Sequence, residues 1–443
     1  MDYELTGHFG YRRIVRATVP TIVTMVVMSL YSVVDGLFIS NCVGTTAFAA
    51  VNLMWPALML ASSLGLMTGA GGNALVAKTM GEGYPEKANR IFSMVAASGL
   101  WSGVVIGLLL FVLARHVALL MGADGEMLRD CVLYTRICAV GMPFFINQMA
   151  FQSLYPTAGK PQLGTLMSVL SGLVNIALDA LLVAWLKTGV VGAAVATMLS
   201  QVVGGLVPVL YFMRRRRGAL LRLVRTHWIG RYMRQVCLNG LSEYVASIAV
   251  NVVSICYNLQ LMRYIGHDGV AAYGVLMYIG FLFSAVFIGY NIGVAPAIGY
   301  NYGAQNRAEL HNLFRKSLAI LAMAGVVMTA LAELSANFLA NIFVGYDEAL
   351  CALTIRATRL YCASFLICGF NMFVSSLFTA LNNGVVSAVA SFARTLVFEL
   401  GAVLLLPLVI GIDGIWLAVD VAELLTLVLT ISILLAFRKR YGY

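Results

Sequence analysis

The chain has 443 residues, 61% of them apolar and only 11% charged. An ordinary soluble domain carries about 25% charged residues to solvate its surface, so lipid must be the solvent for most of this one. The same figures exclude disordered, coiled-coil, collagen-like and disulfide-rich secreted chains. The eight cysteines form no Cys-x-x-Cys pair and read as small buried hydrophobes. The five histidines are too scattered to suggest a metal site. The N-terminus runs from acidic to basic into an apolar stretch too long for a cleaved signal peptide.

A spanning helix needs about 20 mostly apolar residues. In chain order the segments that qualify are 14–41, 46–73, 90–114, 129–155, 162–186 and 190–213, then 236–263, 269–300, 312–338, 352–379, 385–409 and 413–436. The reading is an all-α polytopic membrane protein with twelve transmembrane helices. Alternating strands of a membrane barrel are absent. Most of the 29 Lys and Arg fall in alternate connections, among them Arg12 to Arg16, Lys78 to Arg90, Arg214 to Arg234 and Arg438 to Arg440. Positive connections stay inside, which predicts cytoplasmic termini in the inner (plasma) membrane. It also explains the net charge of +10 without a nucleic-acid partner. The densest basic run, from Arg214 onward, reads as a topology signal beside anionic headgroups.

That run sits at mid-chain and divides two similar halves. An ungapped shift of 222 residues places Gly44 on Gly266, Gly71 on Gly293 and Gly81 on Gly303. It also places Gly103-Val104-Val105 on Gly325-Val326-Val327, and Gly189 on Gly411. Each half has six spans starting on the same side, so the repeats are parallel and related by an axis along the membrane normal. The predicted organisation is a six-helix lobe over 1–213, a basic linker over 214–235 and a second six-helix lobe over 236–443. Two such bundles facing a cleft are the architecture of an alternating-access carrier.

Ionisable groups within the bilayer cost about 2.5–3.5 kcal/mol each, so they mark function by default. Here they are Asp35, Asp179, Glu243, Arg394, Glu399, Asp420 and Glu423. Counted from the outer turns, Asp35, Asp179 and Thr197 each lie about 12–13 Å deep, on three helices of one lobe. Asn175 is one turn from Asp179 on the same face. Two carboxylates, an amide and a hydroxyl suit Na⁺, or a proton shared between like charges. Isolated interhelical hydrogen bonds are the other reading. The shift of 222 puts Tyr257, Val397, Gly401 and Val419 at the four equivalent positions, so the polar set has no counterpart there. Glu243 and Arg394 lie at similar depth from the cytoplasmic side. They suggest a substrate cavity, a proton relay, or a mutual ion pair. Glu423 aligns with Gln201 and reads as a scaffold hydrogen bond. Met and aromatic residues could wall an adaptable cavity or face lipid. Pro20, inside the first span, removes one backbone hydrogen bond and is a candidate hinge.

No P-loop, HExxH, GxSxG or strand-borne GxGxxG occurs, so an enzyme is not expected and transport must draw on an ion gradient. The stretches SVVDGLFISNCVGTTAFAAVN, GEGYPEKANR and NIALDALLV, followed by GVVGAAVATMLSQ, resemble the multidrug and toxic compound extrusion (MATE) transporters. The similarity lies with their DinF- and MepA-like branch. It implies exchange of organic, cationic or amphipathic compounds for H⁺ or Na⁺ by a monomer without a further cofactor. It also implies a cation site at Asp35, Asn175, Asp179 and Thr197, a bending proline at Pro20 and a functional acid at Glu243. Asn371 stands where some members carry an acid. Relatives that flip lipid-linked cell-envelope precursors supply the alternative function.

Overall fold

The computed structural model describes residues 5–42, 45–214, 219–345 and 347–443, with the side chains of 31–49 and of His267 outside the description. The first bundle comprises α1 (Tyr11–Cys42), α2 (Thr45–Gly81), α3 (Pro85–Leu120), α4 (Gly125–Thr157), α5 (Pro161–Leu178) and α6 (Val190–Met213). A π-helical turn, Asp179–Trp185, extends α5. The second bundle comprises α7 (Gly230–Tyr264), α8 (His267–Gly303), α9 (Arg307–Val344), α10 (Glu348–Cys362) and α11 (Phe365–Ala380). It continues through α12 (Gly384–Phe392), a second π-helical turn (Ala393–Glu399), α13 (Leu400–Ile410), α14 (Ile412–Trp416) and α15 (Ala418–Tyr441). Among the described residues eleven helices are long and apolar enough to span a membrane, and α10 with α11 forms a twelfth, bent by 51°. No strand occurs among them.

That bend is the main departure from the expected straight span over 352–379. No Pro or Gly marks it in the sequence. At the break the Ser364 hydroxyl donates to the Tyr361 carbonyl at 2.7 Å, a local bond that competes with the helical ladder and bends it.

The two halves repeat in detail. Gly189 and Gly411, related by the shift of 222, have φ 65°, ψ −142° and φ 66°, ψ −143°. This region is open to glycine and closed to residues with a Cβ. Val104 and Val105 on α3, and Val326 and Val327 on α9, are all exposed, as a lipid-facing surface requires. Phe92, Phe151 and Phe212 pack one core of the first bundle, while Phe287, Phe365, Phe373 and Phe378 pack that of the second.

The bundles meet backbone to backbone at the end that carries both termini. A Cβ on Gly81 would stand 2.0 Å from the Tyr300 carbonyl, and one on Gly303 would stand 2.0 Å from that of Lys78. The shift of 222 turns each contact into the other, so a pseudo-twofold axis runs between α2 and α8. The second pair obeys the same relation, with Gly71 against Val236 and Gly240, and Gly293 against Thr18.

A strap adds to this closure. Residues before α1 cross to the second bundle, where Phe9 is buried in its core. The Phe9 N–H donates to Glu309 Oε1 at 2.7 Å, and Asn312 and Lys316 donate to the Phe9 carbonyl at 3.0 and 2.7 Å. His8 Nδ1 lies 3.0 Å from Glu309 Oε2. Glu309→Ala leaves the buried Phe9 N–H without its acceptor, a loss of about 1–3 kcal/mol. Limited trypsin digestion is expected to cut this variant at Arg12 or Arg13 at least about fivefold faster than the parent.

Candidate functional site

In the first bundle, Asn175, Asp179 and Thr197 are all buried, at 0%, 2% and 5% exposure. Asp179 opens the π-helical turn, and its N–H bonds back to the Asn175 carbonyl. A π turn widens a helix by one residue and is frequent at functional sites. It aims Asp179 inward where α5, α6 and α1 pack together. Asp35 lies outside the residues whose side chains are described. Pro20 sits within α1, and its carbonyl accepts from Thr24 and from Thr165 of α5, both at 2.8 Å. These bonds tie the proline turn to the helix that carries Asp179.

In the second bundle, Arg394 does not pair with Glu243. Its Nε and Nη2 donate to Glu423 Oε1 at 2.8 and 2.5 Å. Asn371 donates to the other Glu423 oxygen at 2.7 Å, and Thr430 donates to Asn371 Oδ1 at 2.9 Å. The network joins α11, the second π turn and α15, so Glu423 is the scaffold element its alignment with Gln201 suggested. Similar depth placed Glu243 and Arg394 at one level, but depth says nothing of which faces meet. Glu243 is half-buried on α7 and makes no hydrogen bond or ion pair among the described residues. An acid in that position can take a cationic ligand or a proton.

Among the described residues no cluster of His, Cys, Asp and Glu fits a metal ion. Of the described cysteines none is in a disulfide; Cys131, Cys138, Cys351, Cys362 and Cys368 are buried, in line with their reading as small hydrophobes, while Cys237 and Cys256 are half-buried.

Comparison with known proteins fits this architecture. The MatE family profile matches residues 20–181 and 244–403, one stretch in each half. The chain is 22% identical over 406 residues to the multidrug export protein MepA of Staphylococcus saprophyticus, covering 92% of this chain and 88% of that protein. It is also 22% identical to MepA of Staphylococcus haemolyticus, covering 99% and 97%. A crystal structure of MATE in complex with MaL6 aligns with TM-score 0.91 at 24% identity, over 98% of both chains. An outward-facing multidrug resistance MATE transporter of the MOP superfamily aligns with TM-score 0.91 at 23% identity, over 99% of this chain and 97% of that one. Twelve apolar spans in two repeated bundles and a family match in each half lead to one assignment: this chain belongs to the MatE family, in its MepA-like branch, and is a multi-pass membrane transporter rather than an enzyme.

Proposed function

We propose that this transporter exports organic cations and amphipathic compounds in exchange for H⁺ or Na⁺, by alternating access. The observation that carries the reading is Asp179, a carboxyl buried at a π turn, one turn from buried Asn175 and packed against the helix that carries buried Thr197. A buried carboxyl in lipid is costly unless a cation or proton occupies it, so occupancy can be coupled to helix movement. Asp35, on the helix that packs against this turn, completes the cation site in this reading, and Pro20 lets α1 bend when the site fills. The glycine seam closes one end, and the basic connections assign that end to the cytoplasm. The described state is then outward-facing. Glu243 faces the path of the exported compound. No cofactor besides the coupling ion is needed, and one chain suffices for a cycle. The Arg394 guanidinium is taken up by Glu423, which leaves little cationic surface for the pyrophosphate of a lipid-linked precursor.

The test is efflux of a cationic dye from proteoliposomes, with a pH gradient and a Na⁺ gradient imposed separately. One gradient is expected to drive efflux. Asp179→Asn is expected to reduce that efflux to the level of empty liposomes while dye binding persists. Undiminished efflux by Asp179→Asn ends this coupling mechanism, and efflux under neither gradient ends the antiport reading.

A further inference from the structure

We propose that Thr165 of α5 is a positioning residue for the Pro20 hinge: its hydroxyl, together with that of Thr24, latches the proline turn of α1 to the first bundle, and release of this latch frees α1 to bend. Thr165 Oγ1 donates to the Pro20 carbonyl at 2.8 Å, and Thr24 Oγ1, one turn along α1, donates to the same carbonyl at 2.8 Å. The two hydroxyl oxygens lie 2.9 Å from each other. Three oxygens thus form a closed triangle with only two hydroxyl protons, so one side is always an oxygen pair without a proton. Such a group holds the turn, yet its hydrogen bonds can move from oxygen to oxygen without breaking the backbone ladder of either helix. The hydroxyls matter at this point because Pro20 has no N–H to offer the turn before it, although α1 runs on from Tyr11 to Cys42. Thr18 and Thr21 donate in the same manner to the carbonyls of Ile14 and Thr18, at 3.0 and 2.7 Å, and back-bonds of this kind favour bending.

Both bundles hold α1 at this level. A Cβ on Gly289 of α8 would stand 2.4 Å from Ile22 Cα, and one on Gly293 would stand 2.5 Å from Thr21 Oγ1 and 2.9 Å from Thr18 Cα. Residues 18–22 are therefore seated against the backbone of the second bundle, while the Pro20 carbonyl in their midst is fastened to the first. Movement of one bundle against the other acts on α1 at its proline. The latch then decides whether the helix beyond Pro20 follows α5 or leaves it. A small cavity adjoins the latch, between Thr21 and Thr24 of α1, Gln152 and Tyr155 of α4 and Ser168 of α5, so α1 is not close-packed at its hinge.

The second bundle is built the other way. The shift of 222 carries Pro20 to Ser242, Thr24 to Ala246 and Thr165 to Ser387. At this level α7 is an unbroken helix without proline. The hydroxyls there engage one another: Ser242, Thr379, Ser387, Ser375 and Ser391 form a chain with consecutive oxygens 3.3, 2.8, 2.9 and 2.8 Å apart. The chain fastens α7 to α11 and α12. Bending is thereby confined to the first bundle, where Thr165 sits on the helix that leads into Asp179. The role of the latch in coupling rests on the proposed bending of α1 when the cation site fills; its hold on the proline turn does not.

Nitroxide labels at Leu30 of α1 and Val105 of α3, both exposed, report the course of α1 through the distance between them in the full-length protein in nanodiscs. In the parent, a second distance population is expected to grow when acid or NaCl is added to protein held at alkaline pH without Na⁺. Thr165→Val keeps the side-chain shape and removes the hydroxyl. In this variant the second population is expected to be about fivefold larger already at alkaline pH without Na⁺. Thr165→Ser is expected to restore the parent distribution. Thr165→Val combined with Pro20→Ala is expected to show no excess, because the alanine N–H rebuilds the ladder. Thr24→Val, which removes the other donor, serves as the probe if Thr165→Val fails to fold. A parent-like distribution in the Val variant overturns the proposal, as does an excess that persists in Thr165→Ser or in the combination with Pro20→Ala. A parent whose distances ignore acid and NaCl, beside an excess in Thr165→Val, leaves the latch standing and defeats the reading that α1 bends when the site fills.

Discussion

Gly240→Leu is expected to hold the two bundles apart at the end that carries the termini and to abolish efflux. A Cβ at this position would stand 1.8 Å from the Met67 carbonyl oxygen, which no contact tolerates. The opposing atom belongs to backbone in the middle of α2, so it cannot swing aside as a flexible side-chain end would. Overpacking a well-filled contact costs about 1–3 kcal/mol, and the rigid partner puts this site at or above the upper end. The cost applies only while the seam is closed. It therefore shifts the balance toward the state with this end open, by about tenfold for each 1.4 kcal/mol. A cysteine pair at Lys78 and Tyr302 reports the shift, because the Lys78 ammonium lies 5.6 Å from the Tyr302 ring in the closed seam. Cross-linking is expected in the parent and lost in Gly240→Leu. Gly274→Ala is the control, since a Cβ there meets nothing within 4 Å, and it should keep both cross-link and efflux. Cross-linking that persists undiminished in Gly240→Leu would show that the seam yields by local adjustment instead of by separation of the bundles.

Glu423→Gln is expected to destabilise the protein by breaking the buried ion pair of the second bundle. Glu423 is buried, and its carboxylate accepts from Arg394 on one oxygen and from Asn371 on the other. Removing one partner of a buried ion pair leaves an uncompensated charge and costs about 3–5 kcal/mol. Arg394 retains 28% side-chain exposure, which puts the expected loss near about 3 kcal/mol. The measurement is the midpoint of thermal unfolding in detergent. The double variant Arg394→Gln with Glu423→Gln should recover part of the loss, because the unpaired cation is gone. A double variant as unstable as the sum of the two singles would mean that the pair carries no coupling.

The spans, their number and their repeat were legible because lipid imposes a coarse and continuous rule, that apolar residues persist for the thickness of the bilayer. The buried set Asn175, Asp179 and Thr197 was legible for a related reason. Polar groups in such segments stand out against their surroundings, and helical rise converts their spacing into depth. Depth is one coordinate only. It put Glu243 and Arg394 at one level and could not say that Arg394 turns toward Glu423. The break at Ser364 was hidden because a hydroxyl-to-carbonyl bond bends the helix there, with no Pro or Gly to announce it.

The glycines are another case. In the sequence Gly71, Gly81, Gly240 and Gly303 look like the many other glycines of these spans; only the crossing of α2 with α7 and α8 shows that a methyl group has no room there. Composition and period along the chain therefore determined the class, the spans and the repeat, since these depend on each segment's own exchange with lipid. Which acids meet which bases, and where the bundles touch, was decided by helix rotation and crossing, which depend on packing between segments far apart in the chain.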